Sequence, residues 1–102
     1  MPAQRSLSSS VADELVIGTV LRVEEHPGAR APSFLLTLDL GSYGTHEVVL
    51  PTGSIEAAEL EGAQIACRRE PDGATVLGAH SHSRGFVPLR PWGKVEPGTI
   101  LS

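Results

Sequence analysis

Between residues 33 and 40 every second side chain is large and apolar: Phe34, Leu36, Leu38 and Leu40 fall on one side of an extended chain, and Ser33, Leu35, Thr37 and Asp39 fall on the other. A period of two marks a strand with one buried face, and a one-residue slip would turn that whole set to solvent. The segment therefore commits the chain to a sheet of fixed register. Gly41-Ser42-Tyr43-Gly44 supplies turn residues, and alternation resumes over 45 to 50, so an antiparallel hairpin is predicted.

The remaining elements are read around this hairpin. Leu15, Ile17, Thr19, Leu21 and Val23 alternate in a run rich in β-branched residues, which predicts a long strand with those five on one face and a bend or bulge at Gly18. Two prolines and a glycine make 24 to 32 a loop. One or two helical turns fit over 54 to 60, with Ser54 as cap and Glu56 in the first turn. Strands are expected over 63 to 69 and 74 to 77, joined by the turn Glu70-Pro71-Asp72-Gly73. Residues 78 to 102 read as extended chain packed outside the body, and the serine-rich residues 1 to 10 as a flexible tail preceding a single domain over 11 to 102. This order predicts an all-β protein: a five-stranded OB-fold barrel with one short helix between strands three and four and extended terminal segments. Composition alone leaves an SH3-like barrel or a small open sheet in contention; the helix position favours the OB order.

A chain of 102 residues holds one core and no deep cleft between domains. One cysteine, Cys67, excludes an internal disulfide and any multi-cysteine metal site, and its place in an alternating run predicts a buried small side chain. His80 and His82 share one side of an extended segment, but no further ligand stands at a recognisable spacing, so they are read as structural or surface residues with no metal. Serines beside histidines form no nucleophile elbow, and no phosphate loop or dinucleotide fingerprint occurs. No catalytic group and no cofactor is expected. No run reaches the roughly 20 apolar residues of a membrane span, and no secretory signal is read at the start, so the cytoplasm is the expected location.

The net charge of −4 disfavours a broad phosphate-binding surface, yet the acid is concentrated in the first part of the chain. Residues 61 to 102 carry five basic groups against four acidic ones. Arg68-Arg69 precedes the 70 to 73 turn, and Arg84 and Arg90 follow. On a barrel these are expected to converge near one rim, where guanidinium forks match phosphates and stack on bases; local pairing with Glu70 and Asp72 is the competing expectation.

The segment Val20-Leu21-Arg22-Val23-Glu24-Glu25-His26-Pro27-Gly28-Ala29-Arg30-Ala31-Pro32-Ser33-Phe34 resembles the tRNA-binding-domain family, in particular its CsaA-like branch of export-related chaperones. Gly18-Thr19-Val20 matches that branch's opening strand. The stretch Glu-x-His-Pro-x-Ala-Arg-x-Pro-x-Tyr is matched with Phe34 in the tyrosine position. Leu60-Glu61-Gly62-Ala63-Gln64-Ile65-Ala66-Cys67 and Val76-Leu77-Gly78 match later motifs, so the resemblance covers 12 to 102. It implies an OB-fold homodimer that binds tRNA or other structured RNA without catalysis. The RNA contacts are then expected at Arg30, Arg68, Arg69 and Arg84. The alternative it implies is a chaperone that holds unfolded or export-bound polypeptide. Two departures stand out. Leu50-Pro51-Thr52-Gly53-Ser54 replaces a small polar segment, and the basic loop after the fourth strand is shortened to Arg68-Arg69-Glu70-Pro71-Asp72-Gly73.

Overall fold

The first strand is the central one. The computed structural model describes residues 14–101 apart from 27, 29 and 54; the tail read at 1 to 10 and the capping Ser54 lie outside the described residues. Strand β1 (Leu15–Glu25) is followed by β2 (Ser33–Asp39), β3 (Thr45–Pro51), a single turn of helix α1 (Ala57–Leu60), β4 (Gln64–Glu70) and β5 (Gly73–Val76). The five strands form one antiparallel sheet in the order β3-β2-β1-β4-β5. The sheet curls until β3 comes against β5, which makes a nearly closed barrel. The expected all-β barrel, with its one short helix between the third and fourth strands, is the observed one.

The alternation of β2 survives intact: Phe34, Leu36, Leu38 and Leu40 are buried and pack with Val48 and Leu50 of β3, Ile65 and Cys67 of β4, and Val76 of β5. The phase of β1 is a correction. Val16, Gly18 and Val20 face the core, while Leu15 and Leu21 are exposed. The β1–β2 register passes from Val20↔Leu38 to Arg22↔Thr37, so Leu21 is the extra residue of a bulge. Because side chains alternate with period two, one inserted residue inverts the phase, and Val23 packs on the same core as Val20. The bulge is therefore at Leu21 and not at Gly18. Gly18 serves packing: a Cβ there would stand 2.8 Å from Leu40 Cδ2.

Ile17 is buried for a different reason. Beyond Thr19 β1 has β2 beside it, but before Thr19 that side is taken by residues 98 to 101. Ile17 N–H donates to the Thr99 carbonyl at 2.9 Å, Gly98 N–H to the Ile17 carbonyl at 2.7 Å, and Leu101 N–H to the Leu15 carbonyl at 2.9 Å. Gly98 sits at φ +87° with the Leu40 carbonyl pressed against it, a place with no room for a side chain.

The stretch expected to be simply extended contains a second, small sheet. β6 (Gly78–Ser81) and β7 (Gly85–Pro88) form a hairpin, and β7 leads into residues 89 to 95, which cross the outside of β4. Gln64 fixes that crossing. Its buried amide accepts from Val95 N–H at 2.9 Å and donates to the Val95 carbonyl at 2.6 Å and to Thr19 Oγ1 at 2.9 Å, so one side chain does what a strand neighbour would do. The cap of helix α1 is Glu56, in a capping box with Glu59 that satisfies donors at the start of the turn.

Cys67 is buried as expected, and burial pushes its thiol up to about 11 from 9.0. Below pH 9 the thiol is neutral whether folded or unfolded, and stability is insensitive to it. Between pH 9 and 11 only the unfolded chain sheds the proton, so stability falls as pH rises through that window, by up to about 3 kcal/mol. Urea midpoints at pH 8 and 11 should show the drop. Cys67→Val should show a much smaller one.

Candidate nucleic-acid interface

The four arginines singled out from the sequence do not meet at one place. Arg69 is committed to the body of the protein. Its guanidinium pairs with Glu14 at 3.2 Å and lies 4.2 Å above the Tyr43 ring, while Tyr43 donates its hydroxyl proton to the same Glu14 oxygen at 3.0 Å. The backbone repeats the connection, since Arg69 N–H donates to the Glu14 carbonyl at 2.7 Å. The hydrogen bond to Glu14, more than any other contact, pushes the Tyr43 phenol above its ordinary value. Sequence spacing gave no sign of this cluster, because its members come from three distant segments. Arg68 is exposed on β4, between Leu15 and Thr75 of the neighbouring strands.

Arg30 and Arg84 lie on loops that share a neighbour. The β1–β2 loop, which carries the exposed Arg30, accepts the Thr52 N–H on its Pro32 carbonyl at 3.2 Å. Gly53, one residue on, stands against the backbone of Arg84 and Phe86 at the β6–β7 turn. That turn is held by the Ser81 hydroxyl, which accepts from Arg84 N–H at 3.1 Å. One rim of the barrel thus combines the 26 to 32 loop, the 51 to 53 connection and the 81 to 85 turn.

From this rim a groove of about 260 Å³ runs between α1 and β7, bordered by Leu60, Ile65, Val87, Arg84 and Arg90. Glu59 is the acidic member of its lining, and its carboxylate already accepts from Glu56 N–H in the capping box. Arg90 borders two further hollows. One, of about 240 Å³, is walled by Gly62, Ala63, Gln64, Pro91, Trp92 and Lys94. The other, of about 300 Å³, is mainly apolar and is walled by Ile17, Ala66, Leu89, Val95 and Leu101. Leu15, Leu89, Ile100 and Leu101 are exposed, Leu89 by 49%, and Trp92 is wholly exposed.

Sequence reasoning noted Arg90 but placed no site on it and passed over Lys94. A signal was present. From Gly73 to Val95 the chain has no aspartate or glutamate, and it carries Arg84, Arg90 and Lys94 there. The chain's net charge of −4 therefore divides into +3 over this stretch and −7 elsewhere. Elsewhere Arg22 is paired with Glu24 at 2.6 Å, and Arg69 with Glu14. The basic residues of this stretch thus border the three hollows, Arg84 the first, Lys94 the second and Arg90 all three.

His80 stands on β6 with its ring edge-on to Phe86, centroids 5.3 Å apart, and His82 is exposed in the following turn. Among the described residues no three His, Cys, Asp or Glu side chains gather to hold a metal, and no helix is long and apolar enough to cross a membrane.

No protein-family profile and no curated protein sequence matches the chain. Solved structures do. The chaperone CsaA of Bacillus anthracis superposes with a TM-score of 0.78 at 26% identity, covering 100% of this chain and 99% of that one. The CsaA chaperone protein of Picrophilus torridus gives 0.80 at 20% identity over the whole of both chains. A MetRS-related protein of Pyrococcus horikoshii gives 0.71 at 14%, covering 94% of this chain and 95% of its own.

Proposed function

Since the chain has the fold of the CsaA-like tRNA-binding-domain proteins from end to end, we propose that it is a non-enzymatic RNA-binding module that acts as a homodimer and takes tRNA or another structured RNA. The observation that carries this reading is the acid-free stretch from 73 to 95, which sets Arg84, Arg90 and Lys94 around contiguous hollows beside the loop of Arg30. Arg30 and Arg84 are the proposed phosphate contacts of the rim, with Arg90 and Lys94 extending it and Arg68 as an outlying contact on β4. Arg69 acts indirectly, by fixing the start of β1 through Glu14.

The four contacts at Arg30, Arg84, Arg90 and Lys94, without the outlying Arg68, give a salt slope of about −3 to −4, so affinity for RNA should fall roughly 100-fold between 50 and 200 mM salt. Fluorescence anisotropy of labelled tRNA over that range tests the reading. A wild-type protein that ignores tRNA at 50 mM salt defeats it.

A homodimer is supported by the apolar hollow between Ile17, Ala66, Leu89, Val95 and Leu101 and by the exposed Leu15 and Ile100 beside it. A twofold contact would cover this face with its own copy. Light scattering at micromolar concentration should return twice the subunit mass, and Leu89→Glu, which places a charge on the face, should return one subunit.

The same hollow favours a second reading, a chaperone that holds apolar polypeptide, as the two CsaA neighbours are named. Apolar burial is not screened by salt, so an unfolded peptide should then bind equally well at 50 and 200 mM. The RNA reading leads because a dimer formed on this face leaves the hollow no room for peptide.

A further inference from the structure

Trp92 has no structural task that accounts for its position. It is wholly exposed, and it stands between Arg90 and Lys94 at the mouth of a hollow whose other walls are Gly62, Ala63, Gln64, Pro91 and Gly93. An indole left in water forfeits the largest apolar burial any side chain offers. The backbone that carries it is held in place. Gln64 grips Val95 from both sides, and the Leu89 carbonyl accepts from Ala66 N–H at 2.9 Å, so residues 90 to 94 form a short bridge anchored to β4 at each end.

We propose that Trp92 is a base-stacking platform for a single-stranded nucleotide segment, with Arg90 and Lys94 taking the phosphates on either side of the stacked base. This rests on the RNA-binding reading and specifies it: the strand is unpaired at this point and read without sequence preference. Three features argue for a nucleotide over an apolar peptide. The flanking cations match phosphate, and no carboxylate stands among the residues that wall the hollow. The hollow, at about 240 Å³, lies below the roughly 300–1,000 Å³ of pockets that enclose a drug-sized ligand, so it accepts one ring system and leaves the rest of the chain outside. Its small walls leave the indole face open on the hollow side, and every base has a π-face to offer it.

Trp92 is the only tryptophan of the chain, so its emission reports on this site alone. Titrating the full chain with oligouridylate and oligoadenylate of about ten nucleotides at 50 mM salt should quench the emission saturably with both. A base-paired RNA of the same length should quench it little. In Trp92→Ala, anisotropy of the labelled single strands should show affinity reduced by about five- to 150-fold, the range of one lost stacking contact. Trp92→Phe should recover most of the loss, and tRNA should keep its salt slope in both variants. Three results would overturn the inference. Single strands bound by Trp92→Ala as tightly as by wild type would remove the stacking role and leave the RNA reading standing. Failure of wild type to bind any RNA at 50 mM salt would remove both. An emission shift produced by protein concentration alone, without RNA, would assign Trp92 to the contact between copies.

Discussion

Gln64→Leu should be among the most damaging single substitutions outside the aliphatic core. The leucine fits the volume but leaves Val95 N–H and the Val95 carbonyl without the partners they have at 2.9 and 2.6 Å, and Thr19 without its donor. Each buried polar group so stranded costs about 1–3 kcal/mol, although water will reach part of this half-buried edge, and a total of about 2–4 kcal/mol is expected. That is a large share of the roughly 5–15 kcal/mol available to a domain, and it should lower the melting temperature by about 10–25 °C. Gln64→Glu keeps the acceptor for Val95 N–H while opposing the Val95 carbonyl, and should be the more damaging of the two if the doubly paired geometry matters. Thermal melts followed by circular dichroism give the comparison. A fall of less than 1 kcal/mol in Gln64→Leu would mean that the 89 to 95 crossing is held by its other contacts.

The second large effect is expected on RNA affinity. Reversing Arg84 and Arg90 together to glutamate removes two phosphate contacts and places two charges of the wrong sign on the groove between α1 and β7. Charge-assisted contacts contribute about 1.5–3 kcal/mol each, so tRNA affinity at 50 mM salt should fall at least about 100-fold, and the salt slope should shrink by about two. Both side chains are exposed, and the melting temperature should move by little. The double reversal of Arg68 and Arg69 makes a useful contrast. Arg69→Glu confronts Glu14 and empties the space over Tyr43, so that variant should lose stability before it reveals anything about RNA. Unchanged tRNA affinity in the Arg84/Arg90 double variant would show that the acid-free face is not where RNA lies.

What could be read in advance follows from how local each signal is. β2 was legible because its period of two runs unbroken from Phe34 to Leu40 and its partner β3 keeps the register to Pro51. β1 was recognised as a strand but assigned the wrong face: the bulge at Leu21 inverts the phase halfway along, and the burial of Ile17 depends on Thr99, which no window of sequence connects to it. The β6–β7 hairpin had too little alternation to announce itself, and Pro88 reads as a loop residue although it pairs with Gly78. Among the proposed contacts, Arg30 was singled out by a motif and Arg84 by charge. Arg69 looked equivalent to them because its partner Glu14 lies 55 positions away. Arg90 and Lys94 left a trace in the sequence, the absence of acid between Asp72 and Glu96, which composition over whole halves of the chain diluted.

The pairing of residues 98 to 101 with the first half of β1 has a consequence for how the molecule is made. A ribosome delivers β1 before β2 to β7, yet that strand's hydrogen-bonding edge beside Leu15 and Ile17 is completed only by the chain around Thr99 and Leu101. Until then the edge is an open template next to Val16 and Ile17, the kind of surface on which nascent chains pair wrongly. The fold cannot close progressively from its start, as a helical bundle can. It must wait for some 80 further residues and then close at once, with a high mean separation between contacting positions and a correspondingly slow rate. A protein with the fold of named chaperones would then itself pass through a vulnerable interval during synthesis, and a ribosome-stalled chain ending before Gly98 should be far more open to protease at Leu15 and Ile17 than one extended past Leu101.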